Sequence, residues 1–139
     1  PDGGPVTSNC GVALMSSRMG KRYDTLLVAG GSRGLKAVVA REDVRRWLQR
    51  VTPRTRRFGS VCTGAFVLAA AGLLDGKRVA THWASCQRLA EKFPALTVDA
   101  DALYVVDGKV WTSAGVTAAI RCGQASTSAT VPPVLNMVP

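Results

Sequence analysis

The chain has 139 residues, of which 47% are hydrophobic, enough for one domain with a real core and too few to promise two. Four cysteines stand far apart without a CxxC pair, and there is one histidine; this indicates neither a zinc site nor a disulfide framework and fits reduced thiols in a cytosol. The net charge of +9 raises nucleic acid as a partner. However, Arg41, Arg45, Arg46, Arg50, Arg54, Arg56 and Arg57 crowd around one predicted helix and the loop after it, where Trp47 is the one aromatic, short of the interleaved pattern of a single-strand binder, and there is no helix-turn-helix pattern. A solvated helix face accounts for them.

The segment PDGGPVTSNCGVALMSSR reads as a turn followed by two strand-like pieces broken by Gly11, an edge hairpin or meander. YDTLLVAGG is a continuous apolar run closed by Gly30 and Gly31, the pattern of a strand buried on both faces. From Glu42 to Val51, Val44, Trp47, Leu48 and Val51 recur at helical spacing, with Glu42 and Asp43 in the first turn and Pro53 as the stop. RRFGSVC is the next buried strand, AFVLAAAGLL the next helix, Asp75-Gly76 a turn and KRVAT a short strand. A helix over Trp83 to Phe93 ends at Pro94, and LTVDADALYVVDGKVWTS supplies further strands with Asp107 and Gly108 as a hairpin turn.

Strand and helix in alternation predict an α/β domain with a mainly parallel central sheet over residues 1–120. The tail, residues 121–139, mixes small polar residues with three prolines and is expected to be irregular or disordered. AFVLAAAGLL is about half of what a membrane span needs, and the N-terminus lacks the layout of a signal peptide. The expectation is a cytoplasmic protein without membrane contact, metal or cofactor.

In a parallel sheet, sites lie at the carboxyl ends of strands, and Cys62 is predicted there. The junction strand-Cys-Thr-Gly-helix follows the logic of a nucleophile elbow, with Gly64 keeping the approach of neighbouring backbone open. A thiol at a helix N-terminus gains thiolate character, and the Thr63 N–H is placed to serve a developing oxyanion, with Gly30 or Gly31 offering a second donor. Equally, free cysteine is among the most buried residue types, and a cysteine ending a core strand is commonly packing; local pattern leaves the two readings open. Cys10, Cys86 and Cys122 have no comparable placement and read as inert. His82, in VATHWAS, is a base or orienting partner for Cys62 if the two strand ends are adjacent, and otherwise a helix-start residue. Asp24, Glu42, Asp43, Asp75 and Asp107 are explained by strand starts, a helix start and turns, leaving no acid to complete a triad.

VAGG (28–31), SVCTGAFVLAAAGLLDGKRVATHWA (60–84) and DALYVVDGKVWTSAGVTA (101–118) together resemble the ThiJ/PfpI superfamily, also called class I glutamine amidotransferase-like. The resemblance is greatest to the branch fused to AraC-type DNA-binding domains in bacterial regulators. It implies a flavodoxin-like three-layer sandwich, incomplete at both ends, usually dimeric, with Cys62 at the elbow, His82 beside it and Gly31 lining the pocket. The chain departs from the family by lacking the first strand-helix unit with its acidic residue, by carrying Thr63 where the proteases have histidine, and by turning into a Pro/Ser/Thr tail where regulators continue. Protease activity is not expected, and a truncated or frame-shifted coding sequence explains both ends. A chain so shortened is expected to be marginally stable on its own. Two functions follow from the resemblance. One is a small-molecule-sensing, homodimerising domain of an AraC-type regulator that reaches DNA only through a C-terminal domain; the other is a cysteine-dependent hydrolase or hydratase.

Overall fold

A computed structural model describes residues 3–8, 11–31 and 34–125, with backbone alone for 121–125. Strands β1 (Gly4–Thr7) and β2 (Ala13–Ser16) pair antiparallel as a separate two-stranded sheet. The central sheet has four strands in the order β3 (Thr25–Ala29), β4 (Arg57–Val61), β8 (Val110–Ser113) and β7 (Tyr104–Asp107). The first three run parallel, and β7 returns antiparallel to β8. Short strands β5 (Arg78–Val79) and β6 (Thr97–Val98) pair parallel beside them.

Helices α1 (Leu35–Ala40), α2 (Glu42–Val51), α3 (Ala65–Ala70) and α4 (Cys86–Lys92) enclose one core with the sheet, and α5 (Val116–Ala125) packs against β7 and β8. The parallel register puts Leu26, Phe58 and Val110 on the core face and Leu27, Gly59 and Trp111 on the other. Helix α2 follows its sequence pattern: Leu48 and Val51 are buried, and acidic Glu42 and Asp43 occupy the first turn. Its arginines are locally satisfied, with Arg41 bonded to Asp43, Arg46 to Glu42 and Arg45 to the Val39 carbonyl. In α3 every residue from Ala65 to Ala69 is buried, because the helix lies between the sheet and helices α1 and α2. The helix ends sooner than the apolar run suggests. Gly72, at φ 70, donates to the Ala69 carbonyl and Leu73 to that of Leu68, the paired bonds of a glycine-terminated helix end.

Three expectations are corrected. Strand β3 is not buried on both faces: Leu26 and Val28 pack against the core, but Leu27 is 58% exposed. The cause is that β3 ends the sheet order and α5 sits over β7 and β8 instead. The tail boundary also moves, since α5 continues through Ala125; docking its first turns through Ala118 and Ala119 against the sheet propagates a helix over residues with no apolar period. The rest of the expected irregular tail lies outside the described residues. Asp107, finally, does more than make a turn. Its carboxylate accepts from Lys77 Nζ and the Arg78 N–H, both at 3.0 Å, and so ties the start of β5 to the β7–β8 hairpin, whose loop residues are Gly108 and Lys109.

Asp24 anchors the entrance to the sheet. Its carbonyl accepts from the Arg56 and Arg57 N–H groups, and its carboxylate holds the Arg56 guanidinium at 2.9 and 2.7 Å. Hydrogen bonds from Arg56 and then Thr25 lower the Asp24 pKa from 3.8 to about 2. A carboxyl depressed in the folded state adds stability above its unfolded pKa and loses it as pH falls through the folded one. The melting temperatures of the native chain and Asp24→Asn should therefore differ at neutral pH and converge between pH 3.8 and 2. A gap unchanged at pH 2 would contradict this; because the pair is exposed, the gap should also shrink in high salt.

Candidate functional site

The carboxyl ends of β3, β4, β5 and β8 meet at one end of the sheet, and Cys62 follows β4 directly. Cys62 has φ 58, the one positive φ at a non-glycine position among the described residues. Left-handed backbone costs an L-residue roughly 1–2 kcal/mol, so the chain holds this side chain in a turn that its own geometry disfavours. Cys62, Thr63 and Gly64 form a 3-10 turn leading into α3. The thiol is half-buried, neither packed in the core nor fully exposed.

The two flanking glycines are dictated by proximity. A methyl on Gly64 would lie 2.1 Å from the Val28 carbonyl oxygen, so this residue lets the start of α3 rest on β3. A methyl on Gly30 would lie 2.5 Å from Thr63 Oγ1 and 2.6 Å from Thr63 N. The Gly30-Gly31 turn is thus pressed against the elbow. Across this contact Thr63 Oγ1 accepts from the Gly31 N–H at 3.0 Å and donates to the Gly31 carbonyl at 3.2 Å. The Gly31 N–H, expected as a second oxyanion donor, is therefore already engaged by the neighbouring hydroxyl.

The end of β5 joins the same place through Thr81, whose hydroxyl donates to the Cys62 carbonyl at 3.0 Å. This brings the His82 segment beside the elbow, although no hydrogen bond links Cys62 Sγ to His82 among the described residues. His82 Nδ1 accepts from the Ala84 N–H at 3.3 Å, and the ring stacks on Trp83 with centroids 5.5 Å apart. An accepting Nδ1 puts the neutral ring's proton on Nε2. In that tautomer Nε2 is a donor and Nδ1 is taken by the Ala84 N–H, so neither ring nitrogen is free to accept a proton from a thiol. Trp83 itself is 78% exposed. Cys86 Sγ points to the His82 carbonyl at 3.6 Å, and burial pushes its thiol pKa up, the opposite of a reactive cysteine. Cys10 lies outside the described residues, as does the side chain of Cys122.

Five carboxylates among the described residues are paired away from the elbow: Asp24 with Arg56, Asp43 with Arg41, Glu42 with Arg46, Asp107 with Lys77, and Asp99 with Arg78 and the Ala102 N–H. No His, Cys, Asp and Glu cluster suited to a metal occurs among the described residues. A cavity of about 160 Å3 opens on the other face of the sheet, between Leu27, Arg57, Val61, Trp111, Ser113 and Ala119, and neither Cys62 nor His82 lines it. Sequence reasoning missed Thr81 and the Thr63–Gly31 pair of bonds. Both join residues distant in the chain, and no local pattern marks either.

Fold and site together define a mainly parallel α/β sandwich with a strained cysteine at a strand-to-helix elbow. The chain belongs to the DJ-1/PfpI family, whose sequence profile matches residues 3–128. It is 38% identical over 122 residues to the HTH-type transcriptional regulator CdhR of Pseudomonas aeruginosa, covering 86% of this chain and 35% of the regulator. Isonitrile hydratase of Pseudomonas putida is 36% identical over 120 residues, or 84% of this chain and 50% of the hydratase. Among solved structures, an AraC family transcriptional regulator from Pseudomonas putida superposes with a TM-score of 0.73 at 24% identity, covering 91% of this chain and 69% of that one. The chain thus spans about a third of the first relative and half of the second. Among the described residues no helix is long and apolar enough to cross a membrane.

Proposed function

We propose that these residues form the small-molecule-sensing and dimerising domain of a cytoplasmic AraC-type transcriptional regulator, with Cys62 and His82 lining the ligand site and Cys62 turning nothing over. Gly30, Gly31, Thr63 and Gly64 shape the wall beside the thiol, and DNA is contacted by another part of the regulator. The observation that carries this reading is the alignment with CdhR over most of this chain. The five paired carboxylates and the engaged Nδ1 of His82 support it, because an elbow thiol without a free base is suited to binding more than to turnover.

The test is a thermal-shift screen of carboxylates, amines and aldehydes, with sedimentation equilibrium on the same samples. One chemical class should raise the melting temperature of a dimer, and Cys62→Ser should keep that shift. A monomer that responds to no class would overturn the reading. The alignment with isonitrile hydratase favours a second reading, in which the elbow adds water to an isonitrile. Production of an N-substituted formamide from an alkyl isonitrile that Cys62→Ser abolishes would put this second reading in place of the first.

A further inference from the structure

Beside α5, part of the sheet's second face is bare among the described residues. Leu27 on β3 is 58% exposed, and Val61 on β4 and Trp111 on β8 are half-buried next to it, around the cavity of about 160 Å3 that Ala119 of α5 bounds on one side. The lining is apolar apart from hydroxyls and Arg57, whose Nε donates to Thr25 Oγ1 at 2.8 Å and whose guanidinium lies 5.5 Å from the Trp111 ring centre. The bare patch is two strands wide and five residues long, on the order of 150 Å2 of sheet. A stable contact between two protein molecules buries about 800 Å2 on each, and the net charge of +9 sets two copies against each other. The patch therefore suits one extended segment of chain better than a second subunit.

Such a segment leaves α5 at this place. The helix starts soon after β8 and packs back along β8 and β7. Its ten residues make about 15 Å of helix and return the chain to the end of the sheet where Thr25 and Arg57 begin β3 and β4. Residues 126–139, outside the described part of the structure, follow there. They carry no charged side chain, and Pro132 and Pro133 stand among Val131, Val134, Leu135, Met137 and Val138. Burial of this stretch strands no charge. The two prolines favour an extended polyproline form and remove two N–H groups that an apolar surface would leave unpaired. Grooves lined by aromatic side chains receive such segments, and Trp111 supplies the aromatic. The distance from β8 to β3 is about 10 Å, and the six residues before Pro132 reach about 19 Å in polyproline form.

We propose that residues 131–135 dock on the bare face of β3 and β4 of their own chain, with Pro132 and Pro133 against the Trp111 indole and Leu135 in the cavity beside Leu27 and Val61. The segment closes the face that α5 leaves half open, and it does so whether or not the elbow binds a ligand.

The test is nuclear Overhauser spectroscopy on the full 139-residue chain. Cross peaks should join the Trp111 indole to the Pro132 and Pro133 ring protons, and the Leu27 methyls to those of Leu135. An equal mixture of isotope-labelled and unlabelled chains should give none of these peaks through an isotope filter, because the contact is within one chain. A chain ending at Ala125 should shift the Trp111 indole resonances and raise their relaxation by a soluble gadolinium chelate. Pro132→Gly with Pro133→Gly in the full chain should do the same, and decides the point if the shortened chain does not fold. Three results would overturn the proposal: residues 131–135 at random-coil positions without cross peaks, contacts that pass the isotope filter and so come from a second copy, or a Trp111 indole equally accessible with and without the docked prolines.

Discussion

Gly64→Ala should cost at least about 3 kcal/mol of folding stability, the upper end of what overpacking costs. The added methyl would stand 2.1 Å from the Val28 carbonyl oxygen, 2.9 Å from its carbon and 3.1 Å from the Ala29 carbonyl carbon. All three are backbone atoms of a paired strand, so no side chain can swing aside. Either α3 lifts from β3 or β3 leaves its register with β4. Lifting α3 is costly because its residues Ala65 to Ala69 are all buried in the core cluster. Helix propensity acts in the opposite direction, favouring alanine over glycine by up to about 1 kcal/mol, so a destabilised variant isolates the clash. Gly115→Ala is the control, since nothing lies within 4 Å of its Cβ, and it should be close to neutral. Urea unfolding followed by circular dichroism measures both, and a Gly64→Ala midpoint equal to that of Gly115→Ala would refute the close approach.

The same residue shows how far the sequence can be read. The order strand, Cys, Thr, Gly, helix at 57–70 was legible because each step has a local cause: an apolar run, a break in it, a glycine and then an apolar stretch rich in alanine. Helix α2 was legible for a different reason, the recurrence of Val44, Trp47, Leu48 and Val51 on one side of an arginine-rich face. The exposed side of β3 was not legible. A continuous apolar run reads as doubly buried whether or not anything covers its second face, and cover is a property of the whole assembly. Helix α5 beyond Ile120 was hidden for a related reason, since docking rather than pattern sustains it. At the site, local pattern marks Cys62, His82, Gly30, Gly31, Thr63 and Gly64; of these, Gly30 and Gly31 meet Thr63 at the ends of β3 and β4, and His82 follows Thr81, which bonds the Cys62 carbonyl. Their relations were not available: that Thr63 occupies Gly31, or that His82 accepts at Nδ1 from Ala84, depends on contacts that composition and spacing do not encode.

Substitutions at Cys62 should separate the needs of the fold from those of the site. With φ at 58, Cys62→Gly relieves a left-handed cost of about 1–2 kcal/mol and adds back part of it through the greater chain entropy of glycine. The net expectation is a variant about as stable as the native chain or more stable by up to about 1 kcal/mol, with all thiol chemistry at this position lost. Cys62→Val should move the other way by about 2 kcal/mol, because β-branching makes the left-handed region genuinely hostile. Cys62→Ser should fall between them, retaining the strain and the size of the side chain. Chemical denaturation gives the three stabilities, and labelling with a thiol reagent gives the reactive fraction. If the order is glycine, serine, valine, the backbone at the elbow is held against its own preference, and the core does not require the side chain that sits there. Strain kept where the fold gains nothing from it argues that the cysteine is retained for what meets it at the sheet's end. If valine is tolerated as well as glycine, the elbow is unstrained and Cys62 returns to being a small apolar residue at the end of a strand.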